Sequence, residues 1–280
     1  MLKSPSIHKK NIKKGTRKFS IINNFYPKIY YSIDEYQNKD YNSIMEDLTY
    51  SNTQFLNRFH KSLFLLCDGH GGDKSAKFTI ENFPSIFSKQ IIENKKIDNI
   101  EYYIKKSYEE LDELTKKNNI INEGNTLTSI YIDYKILYCS NVGDSKSIII
   151  NNEKYINLTY EDKCYDKNEK KRIEKNGGCI FNNRLDGIIA LSRTIGDHKL
   201  KGNGLISIPH IKKYFLSPLD KYCIIASDGV WDVLSENNIF NFANQCNNCE
   251  DLVKKIVNES INLGSQDNIS CIVIEFNWEL

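Results

Sequence analysis

Leu63-Phe64-Leu65-Leu66-Cys67-Asp68-Gly69 is an apolar run that stops abruptly at an Asp-Gly pair. Cys223-Ile224-Ile225-Ala226-Ser227-Asp228-Gly229 repeats the arrangement far along the chain. Each run has the length and residue types of a buried strand. A strand end is a rigid place to hold a carboxylate. The glycine lets the chain turn sharply and lets a backbone carbonyl approach a ligand. Asp144, in Val142-Gly143-Asp144-Ser145, follows a third strand-like run, Ile136 to Asn141. Asp267 precedes a last one, Ile269 to Phe276, and Glu46-Asp47 forms an acidic pair after Ile44-Met45.

Working outward, the stretches Lys18–Ile22 and Lys28–Ile33 read as short strands. Asp73 can cap a helix running towards Ile92, and Asp98 a second helix from Ile100 to about Lys117. In that second helix Tyr103, Ile104, Tyr108, Leu111 and Leu114 fall at helical spacing. Leu127–Asp133, Lys135–Asn141, Ser145–Ile150 and Lys154–Leu158 read as an antiparallel meander. Glu161 to Leu200 is polar, with one helix, Asn168–Asn176, closed by Gly177-Gly178. Ser235–Gln245 and Glu250–Leu263 read as helices. Strands and helices are segregated rather than alternating, which predicts sheets packed together with helices outside.

The bulk composition excludes several classes. The 280 residues are 40% hydrophobic and 26% charged, with a formal net charge of +2. That is ordinary for a globular protein and gives no reason to expect nucleic acid as a partner. No apolar run is long enough to span a bilayer, and the polar N-terminus shows neither a secretory signal nor a myristoylation pattern. A cytoplasmic location, or a nuclear one, is the simplest expectation. Residues 1–18 form a basic arm with Lys9, Lys10, Lys13, Lys14, Arg17 and Lys18, expected to be disordered, and residues 19–280 form the folded domain. Cys67, Cys139, Cys223 and Cys271 sit in or beside apolar runs, as small buried hydrophobes do. Cys246-Asn-Asn-Cys249 has zinc-ligand spacing without the second pair that would complete a site. Neither a P-loop nor a kinase catalytic-loop pattern occurs.

Taken singly, an Asp-Gly after a strand is a turn. Taken together, acidic spots at several strand ends need a reason to converge, because clustered carboxylates repel unless a cation neutralises them. Oxygen ligands select hard cations such as Mg²⁺ or Mn²⁺, and two of these about 4 Å apart can activate a shared water and clamp a phosphate.

Six motifs make the reading specific. They are Met45-Glu46-Asp47, Asp68-Gly69-His70-Gly71-Gly72, Gly143-Asp144-Ser145, Leu191-Ser192-Arg193-Thr194-Ile195-Gly196-Asp197, Ala226-Ser227-Asp228-Gly229-Val230-Trp231-Asp232 and Asp267-Asn268-Ile269-Ser270. In this order they resemble the signature of the metal-dependent protein phosphatases of type 2C, from Met45 to Ser270. The resemblance implies an α+β fold, a four-layer αββα sandwich of two antiparallel sheets flanked by helix pairs. It implies two Mg²⁺ or Mn²⁺ ions at one end, with Asp47, Asp68 and Asp228 as direct ligands and Asp68 bridging. The Gly69 carbonyl and Asp267 would complete the shells, Glu46 would act through a bound water, and Asp144 with Asp228 would hold a weaker third ion. His70 would be the general acid. Phosphorylated proteins would be the substrates, and the chain is expected to act as a monomer.

The chain departs from the family's pattern in places. An Arg usually precedes Met-Glu-Asp by three residues and pairs with the substrate phosphate; here that residue is Asn42. Asn can donate to a phosphate but lacks both the charge and the bidentate fork. Lys39 is a nearby base that could replace the charge. The usual Asp-His-Lys-Pro appears as Glu161-Asp162-Lys163-Cys164, and Gly-Ser-Thr as Gly124-Asn125-Thr126. These changes bear on the flap and on substrate recognition. Two readings follow: an active phosphatase of phosphoserine and phosphothreonine, or a catalytically silent, phosphatase-shaped binding module.

Overall fold

The structure, a computed structural model, describes residues 26–93 and 99–278. The basic arm and the strand expected at Lys18–Ile22 lie outside those residues. In chain order the first half contains β1 (Lys28–Tyr36), β2 (Leu48–Asn52), β3 (Lys61–Cys67), α1 (Lys74–Glu93) and α2 (Ile100–Lys117). Then come β4 (Leu127–Asp133), β5 (Ile136–Val142), β6 (Lys146–Asn151), β7 (Tyr155–Asn157) and α3 (Lys167–Lys175). The last third holds β8 (His210–Phe215), β9 (Asp220–Ala226), a single turn α4 (Asp228–Trp231), α5 (Glu236–Ala243), α6 (Cys249–Asn262) and β10 (Ile269–Asn277).

Two five-stranded antiparallel sheets face each other, in the orders β1-β10-β9-β6-β7 and β8-β5-β4-β3-β2. Side chains alternate across each strand, so each face has its own partner. In β3, Phe64 and Leu66 join Ile130, Ile225 and Ile272 in the layer between the sheets. Leu63, Leu65 and Cys67 point the other way, onto Phe83, Phe87, Tyr103 and Tyr108 of α1 and α2. In β9, Cys223 and Ile225 face inward, while Tyr222, Ile224 and Ala226 pack on Leu252, Val253 and Ile256 of α6. Both faces of these strands are covered, which is why they read as unbroken apolar runs rather than alternating ones. Burying each such Leu or Ile stabilises the fold by about 1.5–3 kcal/mol.

The expected meander is corrected. β4 and β5 form one hairpin in the second of these sheets, and β6 and β7 another in the first. The chain changes sheet at Gly143-Asp144-Ser145, where Gly143 is left-handed at φ 102° and a Cβ would meet Thr126 at 2.5 Å. Hairpin spacing alone does not distinguish a turn within a sheet from a step between sheets. The helix starts also differ from expectation. Asn99, not Asp98, caps α2, accepting from Tyr102 N; Asp98 lies outside the described residues. At the start of α1 the Asp73 carboxylate pairs with Lys77 Nζ at 2.6 Å, and Glu123 accepts from Lys74 N at 2.9 Å.

The polar stretch between β7 and β8 folds over one end of the sandwich as a flap. Its own small core is Cys164, Ile173, Leu185, Leu200 and Leu205. Asp166 caps α3, accepting from Asn168 N and Glu169 N. Charge holds the flap together and links it to β8. Glu169 accepts from Arg193 Nη2 at 2.6 Å, Arg172 Nη2 at 2.6 Å and Ser192 Oγ at 2.7 Å. Arg193 Nε also approaches Asp162 Oδ1 at 3.3 Å, and His210 Nε2 lies 3.1 Å from the same oxygen. These contacts outweigh the cost of burying Glu169 and pull its carboxyl down to about 2.

Candidate metal centre

Antiparallel register brings the acidic spots to one end of the sandwich. Leu48 pairs with Cys67, so Asp47 and Asp68 leave adjacent strands side by side. Ala226 pairs with both Cys271 and Lys146, which brings Asp228, Asp267 and Asp144 to the same edge of the other sheet. A small third sheet of Gly69–His70, Gly124–Asn125 and Ile195–Gly196 begins directly after Asp68. The acceptor oxygens of Asp68, Asp144 and Asp228 lie within 4.8 Å of one another. They open on a cavity of about 400 Å³ that is also lined by Glu46, Asp267, His70 and Asn42.

The electrostatics of this cluster favour a cation or bound protons. Burial, then the charges of Asp228, Asp47, Asp144 and Asp267, push Asp68 well above the usual carboxylate range. Burial and the charges of Asp144 and Asp267 raise Asp228 to about 8. Burial raises Asp47 to about 7 even though the hydroxyls of Ser227 and Ser270 favour its charge. Asp47 Oδ2 is buried and makes no hydrogen bond among the described residues. Among the described residues the one protein cation paired here is Lys163, bonded to Asp144; the charge and hydrogen bond of Asp144 overcome the effect of burial and raise the Lys163 pKa. The contrast with the flap is direct. Its Asp162–Glu169–His210 cluster is threaded by Arg193 and Arg172, whereas the sandwich-end cluster has no guanidinium paired to it among the described residues. Buried, oxygen-only and under-neutralised, the cluster suits hard divalent cations.

The remaining predicted residues are placed as follows. Gly69 follows Asp68, and a Cβ there would sit 2.6 Å from the Glu46 carbonyl oxygen, so only glycine fits. Glu46 Oε1 accepts from Gly72 N at 2.7 Å, which fixes the glycine-rich loop beside the cavity. Asp267 Oδ1 accepts from Asn268 N at 2.7 Å. Asn42 Nδ2 donates to the Gln266 carbonyl at 3.0 Å and approaches Asp267 Oδ1 at 3.4 Å, so its amide braces the Asp267 turn. Lys39 does not line the cavity.

Three residues to which the sequence reading gave no role also stand at the site. Asp197 lies 2.8 Å from His70 Nε2. This contact needs Gly124 beneath it, because a Cβ there would meet Asp197 Oδ2 at 2.0 Å and His70 Nε2 at 2.6 Å. Lys163 and Arg184 reach the cavity from the flap. Asp197 and Lys163 sat inside quoted motifs, whereas Arg184 carried no signal, being a single Arg in a polar stretch.

A family model described as Protein phosphatase 2C matches residues 31–269. The chain belongs to the protein phosphatase 2C family. This family is metal-dependent, in keeping with the acidic cluster. "Probable protein phosphatase 2C 69" of Arabidopsis thaliana is 33% identical over 240 residues, covering 84% of this chain and 67% of that protein. "Protein phosphatase 2C homolog 1" of Saccharomyces cerevisiae is 25% identical over 259 residues, covering 86% and 92%. Among solved structures, a C. elegans sex determining protein superposes with a TM-score of 0.79 at 25% identity, covering 89% of this chain and 64% of that one. A serine-threonine phosphatase 2C from Toxoplasma gondii shares the fold with a TM-score of 0.75 at 21% identity, covering 90% and 96%. The α+β sandwich of a type 2C phosphatase is therefore the fold of this chain. Among its described residues no helix is long and apolar enough to cross a membrane.

Proposed function

We propose that the chain hydrolyses phosphoserine and phosphothreonine in proteins, using two Mg²⁺ or Mn²⁺ ions. One observation carries this reading: carboxylates from both sheets meet at one cavity without the basic partners that the flap cluster has. Asp47, Asp68, Asp228 and Asp267 would hold the ions with the Gly69 carbonyl, and Asp144 would join Asp228 at a weaker third position. Bound there, the ions would supply positive charge against the phosphate and would make a water more acidic as nucleophile. Glu46 holds the glycine-rich loop through Gly72 N and keeps a second carboxylate oxygen for a water.

His70 would protonate the leaving alkoxide, a contribution typically worth about 10²–10⁴-fold. Asp197 orients the ring through Nε2, which leaves Nδ1 as the ring nitrogen available to the leaving group. Hydrolysis of p-nitrophenyl phosphate with added Mn²⁺ or Mg²⁺, and after exhaustive chelation, tests the proposal. Turnover should depend on the added metal; undiminished turnover without it would overturn the reading.

A second reading has one observation behind it. Asn42 brings no charge to the position where the family's Arg pairs with phosphate, and its amide is already engaged. A silent, phosphatase-shaped binding module would show no metal-dependent turnover on any phosphopeptide while still binding the ions.

A further inference from the structure

We propose that Arg184, at the tip of the flap, binds the substrate phosphate in place of the arginine missing at position 42. This rests on the phosphatase reading above and names a substrate-binding residue for the same site. The argument begins with the hairpin that carries Arg184. Ile180–Phe181 pairs with Arg184–Leu185 across Asn182 and Asn183, both left-handed at φ 50° and 60°. Two consecutive left-handed residues make the tight hairpin turn that asparagine favours. Successive strand residues point to opposite faces. Leu185 is therefore buried in the flap core while Arg184, beside it, faces the cavity.

The surroundings leave the guanidinium free to act. Arg184 Nη1 donates to the Ile188 carbonyl at 2.8 Å, which steadies the side chain and uses one N–H group. The nearest acid along the chain, Asp186, is turned into the flap: it accepts from Cys179 N at 3.0 Å and from Asn203 Nδ2 at 2.5 Å. Among the described residues no carboxylate forms an ion pair with Arg184. The other cation lining the cavity, Lys163, is bonded to Asp144. An arginine with unused donors, over a cavity walled by carboxylates that select metal ions, can pair with a phosphate dianion held against those ions. Asn42 lines the same cavity without charge. The charged fork that the family places on the sandwich is thus supplied from the flap, so the flap takes part in choosing the substrate.

The test uses the full chain with saturating Mn²⁺ and one phosphothreonine peptide. Arg184→Ala should raise KM, and the inhibition constant for inorganic phosphate, by roughly ten- to a hundredfold, with a smaller effect on kcat. Arg184→Lys, which keeps charge but not the fork, should fall between. Asn42→Arg should change the wild type little yet restore most of the affinity lost in Arg184→Ala. Unchanged KM and phosphate inhibition in Arg184→Ala, or a full gain from Asn42→Arg in the wild type, would overturn the proposal. Failure of the phosphatase reading shows separately, as a wild type that hydrolyses nothing with metal. In that case calorimetric binding of the peptide to the Mn²⁺-loaded wild type and Arg184→Ala decides the role of Arg184: equal affinity overturns it.

Discussion

Asp228→Asn should make the metal-free protein more stable while abolishing its response to metal. Asp228 has a folded-state pKa of about 8, against 3.8 for the free side chain, because it is buried beside Asp144 and Asp267. A carboxyl raised in this way binds its proton more tightly in the folded than in the unfolded chain. Stability is therefore highest in acid and falls as pH rises from about 4 to about 8. At pH 7 the full shift corresponds to about 4 kcal/mol; since Asp228 opens on the cavity, we take about half of it, roughly 2 kcal/mol. For a domain of this size that is about 4–8 °C in Tm. The assay is thermal unfolding in chelator between pH 4 and 8, repeated at pH 7 with Mn²⁺. Wild type should lose stability with rising pH in chelator and recover it with Mn²⁺. Asp228→Asn should show a flatter pH profile, a higher Tm in chelator at pH 7 and little gain from the ion. If the variant is no more stable than wild type in chelator at pH 7, or wild type is flat from pH 4 to 8, repulsion among these carboxylates is not what the fold opposes.

Two more outcomes are expected. Asp197→Asn should slow hydrolysis of a phosphothreonine peptide by about 10–100-fold but cost far less on p-nitrophenyl phosphate, whose leaving group needs no proton; equal losses on both would remove Asp197 from the orientation of His70. Glu169→Gln should loosen the flap: wild-type Glu169 is held at about 2 against a usual 4.5, so it contributes about 3 kcal/mol above pH 4.5, lost as pH falls towards 2. Unfolding of the two proteins should differ at pH 7 and converge near pH 2.5, and a constant gap across that range would refute the assignment.

The core strands were legible because their two faces are both buried. Leu63–Cys67 and Cys223–Ala226 are apolar at every position, and β3, β4, β9 and β10 lie within a few residues of where the sequence puts them. β2, with every residue half-buried, offers no contrast between its faces and went unread. β8 was missed for a related reason: His210, Lys212 and Lys213 put polar residues into a strand at the sheet edge, where one side has no strand partner among the described residues. The sheet change at Gly143–Ser145 was illegible because it depends on long-range pairing of Lys146 with Ala226 rather than on local pattern.

At the site the same division separates ligands from recognition. The carboxylates were readable because each is tied to a strand end, and pairing between strands far apart in sequence then has to bring the ends together. Nothing local marks Arg184. Its face is set by Leu185, whose burial depends on Ile173, Leu200 and Leu205 assembling a core out of a polar stretch. Nothing local marks Asp197 as a partner of His70 either, since the pair meets only where Ile195–Gly196 joins the small sheet beside Gly124. The sandwich can therefore keep its acid cluster while the flap changes which cation meets the phosphate. An exchange such as Asn42 for the usual Arg is then a move of the phosphate contact from a fixed wall to an element braced internally by Glu169 and Arg193. If so, loosening that anchor should act on KM through Arg184 without touching the carboxylates, and Glu169→Gln combined with Arg184→Ala should raise KM no further than Arg184→Ala alone.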